Sequence, residues 1–271
     1  MLYNHGSAPG MLSNEAFEAI APVYVSHGWV FFAPYRRGQG LSASAGQFIG
    51  TEIDAARKDG LKRSFIIFAT TFLALTAGLL LITRKRRVWI RSVGIAVLAV
   101  ITVGAGYSSG TRVAATEMVR LLETDHLNDQ LAAYEWLRMQ DFVQTERIAV
   151  AGNSFGGIET VLGAERVKYC AAIDAAGGAE SWAGAPPLQS RMIAAVRNSQ
   201  SPIFFFQAAN DYDLAPSRIL SAAMNDAGKI AEVRIYPPFG KSAAGGHSFT
   251  WLGTSKWAED VFAFLDDYCN S

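Results

Sequence analysis

No surplus of either charge marks this sequence: Lys plus Arg and Asp plus Glu both total 24 in 271 residues, so no global field draws nucleic acid or acidic substrates. Cysteine is scarce, with two residues. Cys170 lies in an apolar strand-like run and Cys269 near the C-terminus, with neither metal-ligand spacing nor the density of a disulfide framework. They read as buried free thiols, and a reducing cytoplasmic setting is expected for the part that holds them. No charged segment followed by a short apolar core precedes the first recognisable element, which argues against a cleaved secretory signal. Internal repeats are absent too. Apolar residues are abundant: a hydrophobic fraction of 50% supplies one large domain with an ample core.

Apolar runs alternate with amphipathic stretches, the pattern of an α/β fold whose mostly parallel strands are buried on both faces and joined by crossover helices. Strands are expected at Met1 to Asn4, Trp29 to Tyr35, Arg147 to Ala151, Tyr169 to Ile173, Pro202 to Gln207 and Glu232 to Tyr236. Helices are expected at Asn14 to Ser26, Thr116 to Met139, from Phe155, at Leu188 to Arg197, from Ser217 and at Ser255 to Tyr268.

One segment breaks this rhythm. Ser64 to Thr83 is twenty residues without a charge, a membrane-spanning length. Arg84, Lys85, Arg86 and Arg87 follow, and Val88 to Tyr107 is a second apolar stretch whose one charge, Arg91, lies near the basic end. Residues 57–110 therefore read as an inserted apolar helical hairpin, dividing an α/β domain of residues 1–56 and 111–271. A membrane is the expected partner through residues 64–107, with the α/β domain cytoplasmic; the other reading is a lid or dimer interface in a soluble cytoplasmic protein. Ala74 and Gly78, four apart, offer a small-residue contact between the two helices.

Gly152-Asn153-Ser154-Phe155-Gly156 has the form Gly-x-Ser-x-Gly between an apolar strand and a helix, the context in which a serine is held on a sharp turn as a nucleophile. A serine hydroxyl needs a base, and four histidines are available. His247, in a Gly-rich loop after the last strand, fits the chain order serine, acid, histidine. His27 reads as a partner of a helix C-terminus and His126 as solvated on a charged helical face. The acid should follow the strand ending at Gln207, where Asp211 is the choice, Asp213 the alternate and Asp174 a distant third. An oxyanion hole needs two donors, taken as the N–H of Phe155 and one from the Gly6-Ser7 region after His5. Trp182 and Met192, in the stretch 181–199, are candidates to line the substrate entrance.

Asn4-His5-Gly6-Ser7, Pro34-Tyr35-Arg36-Arg37-Gly38-Gln39-Gly40, Gly152 to Gly157, Asn210-Asp211 and Gly246-His247 together resemble the dienelactone hydrolase-like branch of the α/β-hydrolases. The resemblance implies a parallel sheet with helices on both faces, an acyl-serine intermediate with water as acceptor, and no cofactor or metal. Namesake members use cysteine as nucleophile; with serine here general esterase activity fits better, and the triad together with the apolar hairpin points to a small or lipid-like acyl ester as substrate. A serine peptidase of oligopeptidase type and an inactive, membrane-anchored binding protein are the alternatives. The resemblance also implies one or two strands ahead of His5. Without them, the apolar strand Trp29 to Tyr35 becomes a sheet edge at which a second copy of the chain can pair.

Overall fold

The computed structural model describes residues 1–7, 15–82 and 88–270. They form two compact units, one of Met1–Gly50 and Val119–Ser271, the other of Thr51–Met118. In chain order the elements are β1 (Leu2–Asn4), α1 (Glu15–Ser26), α2 (Ile49–Ile82), α3 (Val88–Leu121), α4 (Leu127–Arg138), β2 (Val150–Asn153), α5 (Phe155–Arg166) and β3 (Ala172–Ala175). They continue with α6 (Pro186–Arg197), β4 (Ile203–Ala208), α7 (Ala215–Asp226), β5 (Ala231–Tyr236), α8 (Ala243–His247), α9 (Phe249–Leu252) and α10 (Thr254–Cys269).

The first unit is built on a five-stranded sheet in the order β1-β2-β3-β4-β5, parallel throughout. Parallel strands need crossovers, so helices must cover both faces, and a central strand is then apolar on both sides. The run Ile203-Phe204-Phe205-Phe206 in β4 meets that requirement, with every side chain buried. Alternation along the strand turns Phe204 and Phe206 to one face, where they join Trp257, Val261, Phe264 and Leu265 of α10 and Ile20 and Tyr24 of α1 in one cluster. Helices α5, α6 and α7 pack side by side, α5 on β2 and β3, α7 on β4 and β5, and α6 between the two helices. Strand β5 at the far edge is largely exposed, consistent with Glu232 and Arg234 in its sequence.

Several expectations are corrected. The run Trp29 to Tyr35 is not a full strand: it pairs in parallel with β1 only around Phe32, whose N–H donates to Met1 O and whose carbonyl accepts from Tyr3 N–H. With three residues in β1, there is little ladder for it to extend. The helix expected from Thr116 to Met139 is instead the end of α3, a π-helical turn at Leu122–His126 and then α4. The two cysteines are not free thiols: Cys170, just before β3, and Cys269, at the end of α10, are joined in a disulfide. Sequence separation of 99 residues hid a pair that the sheet and the last helix bring together.

The second unit holds the apolar stretches of α2 and α3 together with the charged turns beside them, and its limits, Thr51–Met118, lie outside residues 57–110. The basic turn at 84–87 lies outside the described residues. Within the unit, Gly78 makes no such close contact among the described residues, none of which lies within 4 Å of the position a Cβ would take there. Close approach occurs elsewhere: a Cβ at Gly94 would stand 2.7 Å from Leu79 Cδ2, and one at Gly110 would stand 2.4 Å from Leu61 Cδ2. By length and composition both helices can cross a membrane, and only 6% of the most apolar window of each is buried.

Candidate active site

Three of the sequence-predicted residues follow the C-terminal ends of parallel strands, the edge at which open α/β sheets place their chemistry. Ser154 comes directly after β2, Asp211 three residues after β4, and His247 in the connection that follows β5. Strands β2 and β4 flank β3, so the first two are separated by two strand spacings, about 10 Å.

Ser154 has φ 56° and ψ −118°, a left-handed conformation that a residue with a side chain adopts only where the surroundings enforce it. Its N–H donates to Ala175 O at 2.9 Å, which fixes the turn to β3. The flanking glycines are obligatory for steric reasons: a Cβ at Gly156 would lie 1.9 Å from Asn4 O, and one at Gly152 would lie 2.2 Å from Gly156 O. Because α5 begins at Phe155, the Phe155 N–H is a first-turn donor without an intrahelical acceptor, at the positive end of a twelve-residue helix.

His247 Nδ1 lies 2.9 Å from Asp211 Oδ1. A carboxylate only accepts, so Nδ1 carries the proton and Nε2 is left free to take one. Asp211 also accepts from Tyr212 N–H at 2.7 Å, and its side chain is buried. His247 is not in an open loop as expected. It ends α8, which Ser242 caps through Gly245 N–H, and Gly246 packs so closely on Asn210 and Asp211 that a Cβ would meet their backbone at 2.7 Å. Asp213 takes the other course: its Oδ1 accepts from Ala215 N–H at the start of α7. Among the described residues, Ser154 Oγ and His247 Nε2 are not hydrogen-bonded to each other; such contacts often tighten only around a bound substrate.

Other candidates are moved by the structure. The N–H of Gly6, one of the two expected oxyanion donors of this loop, donates to Asn153 Oδ1 at 3.0 Å, while Ser7 is exposed. Trp182 and Met192 do not line an entrance; they are 4% and 0% exposed and both side chains stand close to Gly178. His126 is not solvated but fully buried, 3.9 Å from Glu159. Burial, then the Arg36 charge, lowers its pKa to about 4. His27 accepts its expected part, with Nδ1 2.8 Å from Val23 O near the end of α1.

Sequence reasoning assigned no role to the residues that brace this site. Arg36 donates to Glu159 at 2.5 Å, to Gly6 O at 2.8 Å and to Gln39, and its guanidinium stands 4.7 Å from the centre of the Phe155 ring. One buried cation thus touches both Gly6 and Phe155, the two segments expected to supply oxyanion donors. Burial raises the Glu159 carboxyl to about 7, with Arg36 acting against it. Asn153, the variable residue before the serine, accepts from Tyr3 Oη–H at 2.9 Å as well as from Gly6, tying β1 to the nucleophile turn. A signal was available: Glu159 is the one charge in the otherwise uncharged first ten residues of α5.

A parallel sheet with a strained serine between β2 and α5, an acid after β4 and a histidine after β5 defines an α/β-hydrolase fold. Residues 88–256 match the dienelactone hydrolase family, and the chain belongs to that family. The chain is similar to Pyrococcus horikoshii acylaminoacyl peptidase, at 18% identity over 56% of this chain and 29% of that one, with a TM-score of 0.43. A Mycobacterium tuberculosis puromycin-hydrolyzing peptidase shares 18% identity over 55% of this chain and 26% of its own, with a TM-score of 0.46. Est1E from Butyrivibrio proteoclasticus shares 18% identity over 52% of this chain and 70% of its own, with a TM-score of 0.41. The chain spans less than a third of the length of the two peptidases. No curated protein matches the chain.

Proposed function

We propose that this hydrolase cleaves carboxylic esters, small or lipid-like, through an acyl-serine intermediate, with Ser154 as nucleophile, His247 as base and Asp211 as its orienting carboxylate. The observation that carries the reading is the buried Asp211 bonded to His247 Nδ1, which leaves Nε2 as the proton acceptor, on the sheet edge where Ser154 is held in a strained turn.

In this mechanism Ser154 Oγ attacks the ester carbonyl carbon while His247 Nε2 takes its proton. Negative charge gathers on the carbonyl oxygen, where the N–H groups of Phe155 and Ser7 and the dipole of α5 stabilise it. The tetrahedral intermediate collapses, the C–O bond to the alcohol breaks, and His247 returns its proton to the leaving oxygen. Water then repeats the sequence on the acyl-serine, giving the acid and free Ser154. Asp211 keeps the imidazole in one tautomer and offsets its charge when it holds two protons. No step of this sequence calls for a cofactor.

The test is Ser154→Ala. Covalent labelling by a fluorophosphonate probe should vanish, and p-nitrophenyl ester turnover should fall by about 10³-fold or more, because the triad acts as a unit. Labelling that persists in the variant removes Ser154 from the mechanism. A native chain that turns over peptide amides faster than esters identifies a peptidase instead.

A further inference from the structure

Two features remain outside the hydrolytic site: a two-helix unit whose apolar side chains face outward, and a disulfide in the unit that carries the candidate triad. Each says something about surroundings, and together they fix a direction. Phe65, Leu73, Leu81, Trp89, Val100 and Val103 are all more than 60% exposed. A water-soluble helix pair buries such residues; a pair in hydrocarbon presents them to lipid and keeps small residues at its seam, as Gly94 and Gly110 are kept here.

The dimensions fit a bilayer. Trp89 and Tyr107, both exposed, are separated by eighteen residues of α3, ~27 Å at 1.5 Å per residue, close to the ~30 Å of a hydrocarbon core. Indole and phenol rings favour the two interfaces, where one end of the ring is wet. Cations bracket the same band in sequence, Arg57, Lys58, Lys62 and Arg63 at one end and residues 84–87 at the other, complementary to anionic headgroups.

Counting cations gives no direction, because the two ends carry equal numbers. The disulfide does. A hairpin crosses twice, so residues 1–50 and 119–271 emerge on the same face and one marker reports for both. Cys170 and Cys269 belong to that part and are bonded, and Cys269 is only 3% exposed. Structural disulfides form and persist in oxidising compartments and are rare where thiols are kept reduced. We infer that α2 and α3 cross a lipid bilayer as a hairpin, with the hydrolase unit on the oxidising, non-cytoplasmic face and the basic residues 84–87 in the cytoplasm. This reverses the cytoplasmic placement that the sequence suggested, and it does not rest on the ester-hydrolase reading.

The test uses the full chain expressed in a bacterial host. Membranes are extracted with alkaline carbonate, and whole cells are quenched with N-ethylmaleimide before denaturation, reduction and addition of PEG-maleimide. Alkaline phosphatase, active only outside the cytoplasm, is fused after Ser271 in one version and inserted between Lys85 and Arg86 in another. Expected are retention in the carbonate pellet, two PEG-maleimide adducts only after reduction, activity of the C-terminal fusion and inactivity of the insertion. Release of the chain by carbonate overturns the span. Inactive C-terminal phosphatase together with an active insertion overturns the orientation, whatever the state of the thiols. Thiols blocked by N-ethylmaleimide before reduction overturn the redox argument on which the orientation stands. Fluorophosphonate labelling of the same membranes reports separately on Ser154, so failure of the topology and failure of the hydrolase assignment are distinguishable.

Discussion

Replacing Asp174 by asparagine should stabilise this protein at neutral pH and leave the proposed chemistry intact. Asp174 is fully buried at the end of β3, where its Oδ1 accepts from Gly177 N–H at 2.8 Å. Loss of hydration raises its pKa from the ordinary 3.8 to about 7, and the single backbone donor offsets only part of that. Between those values the folded state keeps a proton that the unfolded chain has released, so stability falls as pH rises through this window. At about 1.4 kcal/mol per pH unit the loss reaches ~3–4 kcal/mol by neutral pH. Asparagine keeps the acceptor for Gly177 and has no proton to retain. The variant should therefore match the parent near pH 4 and exceed it by ~3–4 kcal/mol at pH 7. Urea unfolding of the full chain in mild detergent, followed by tryptophan fluorescence at pH 4, 5.5 and 7, measures the difference. A stability gap that does not change with pH would show that Asp174 is ionised in the fold. Loss of ester turnover in the variant would show that this carboxyl, set aside as the third choice of acid, belongs to the mechanism.

Asp211→Asn should lower kcat by up to about 10⁴-fold with little change in unfolding temperature, since the amide no longer selects the tautomer of His247; ester kinetics with parallel thermal unfolding check this. Arg36→Met should destabilise the fold by ~3–5 kcal/mol by stranding Glu159, and the added change Glu159→Met should restore much of it, as urea unfolding will show. Asn153→Ala removes the acceptor shared by Tyr3 and Gly6, and should cost ~1–3 kcal/mol in stability. The same variant should lower kcat by up to about 10²-fold, more than it alters KM, because the oxyanion loop loses its anchor.

Local chemistry made much of this protein readable in one dimension. The α/β architecture follows from the alternation of short apolar runs such as Ile203 to Phe206, too continuous for a one-sided sheet, with longer amphipathic stretches. The serine turn is legible for a similar reason, because Gly152, Ser154 and Gly156 stand within five residues, although the demand at Gly156 comes from Asn4 O of β1 and only that at Gly152 from within the turn. Asp211 and His247 were reachable through their position after strands, in an order that the parallel topology dictates. The apolar length of α2 and α3 is likewise written directly in composition.

What the tertiary structure decided are the relations between distant residues. Cys170 and Cys269 carry no spacing signal, and they meet because α10 packs back on the sheet beside β3. Arg36 and Glu159, 123 residues apart, are joined by the approach of the Phe32 run and α5 to β1. His126 read as solvated because its sequence neighbours are charged; the π-helical turn rotates it inward. Trp182 and Met192 read as an entrance because they fall in a long excursion, yet apolar burial against Gly178 outweighs exposure to substrate. Sequence pattern records the constraints that act within a turn or a strand. Pairing across the fold depends on which faces meet, and that is set only when the whole chain has packed.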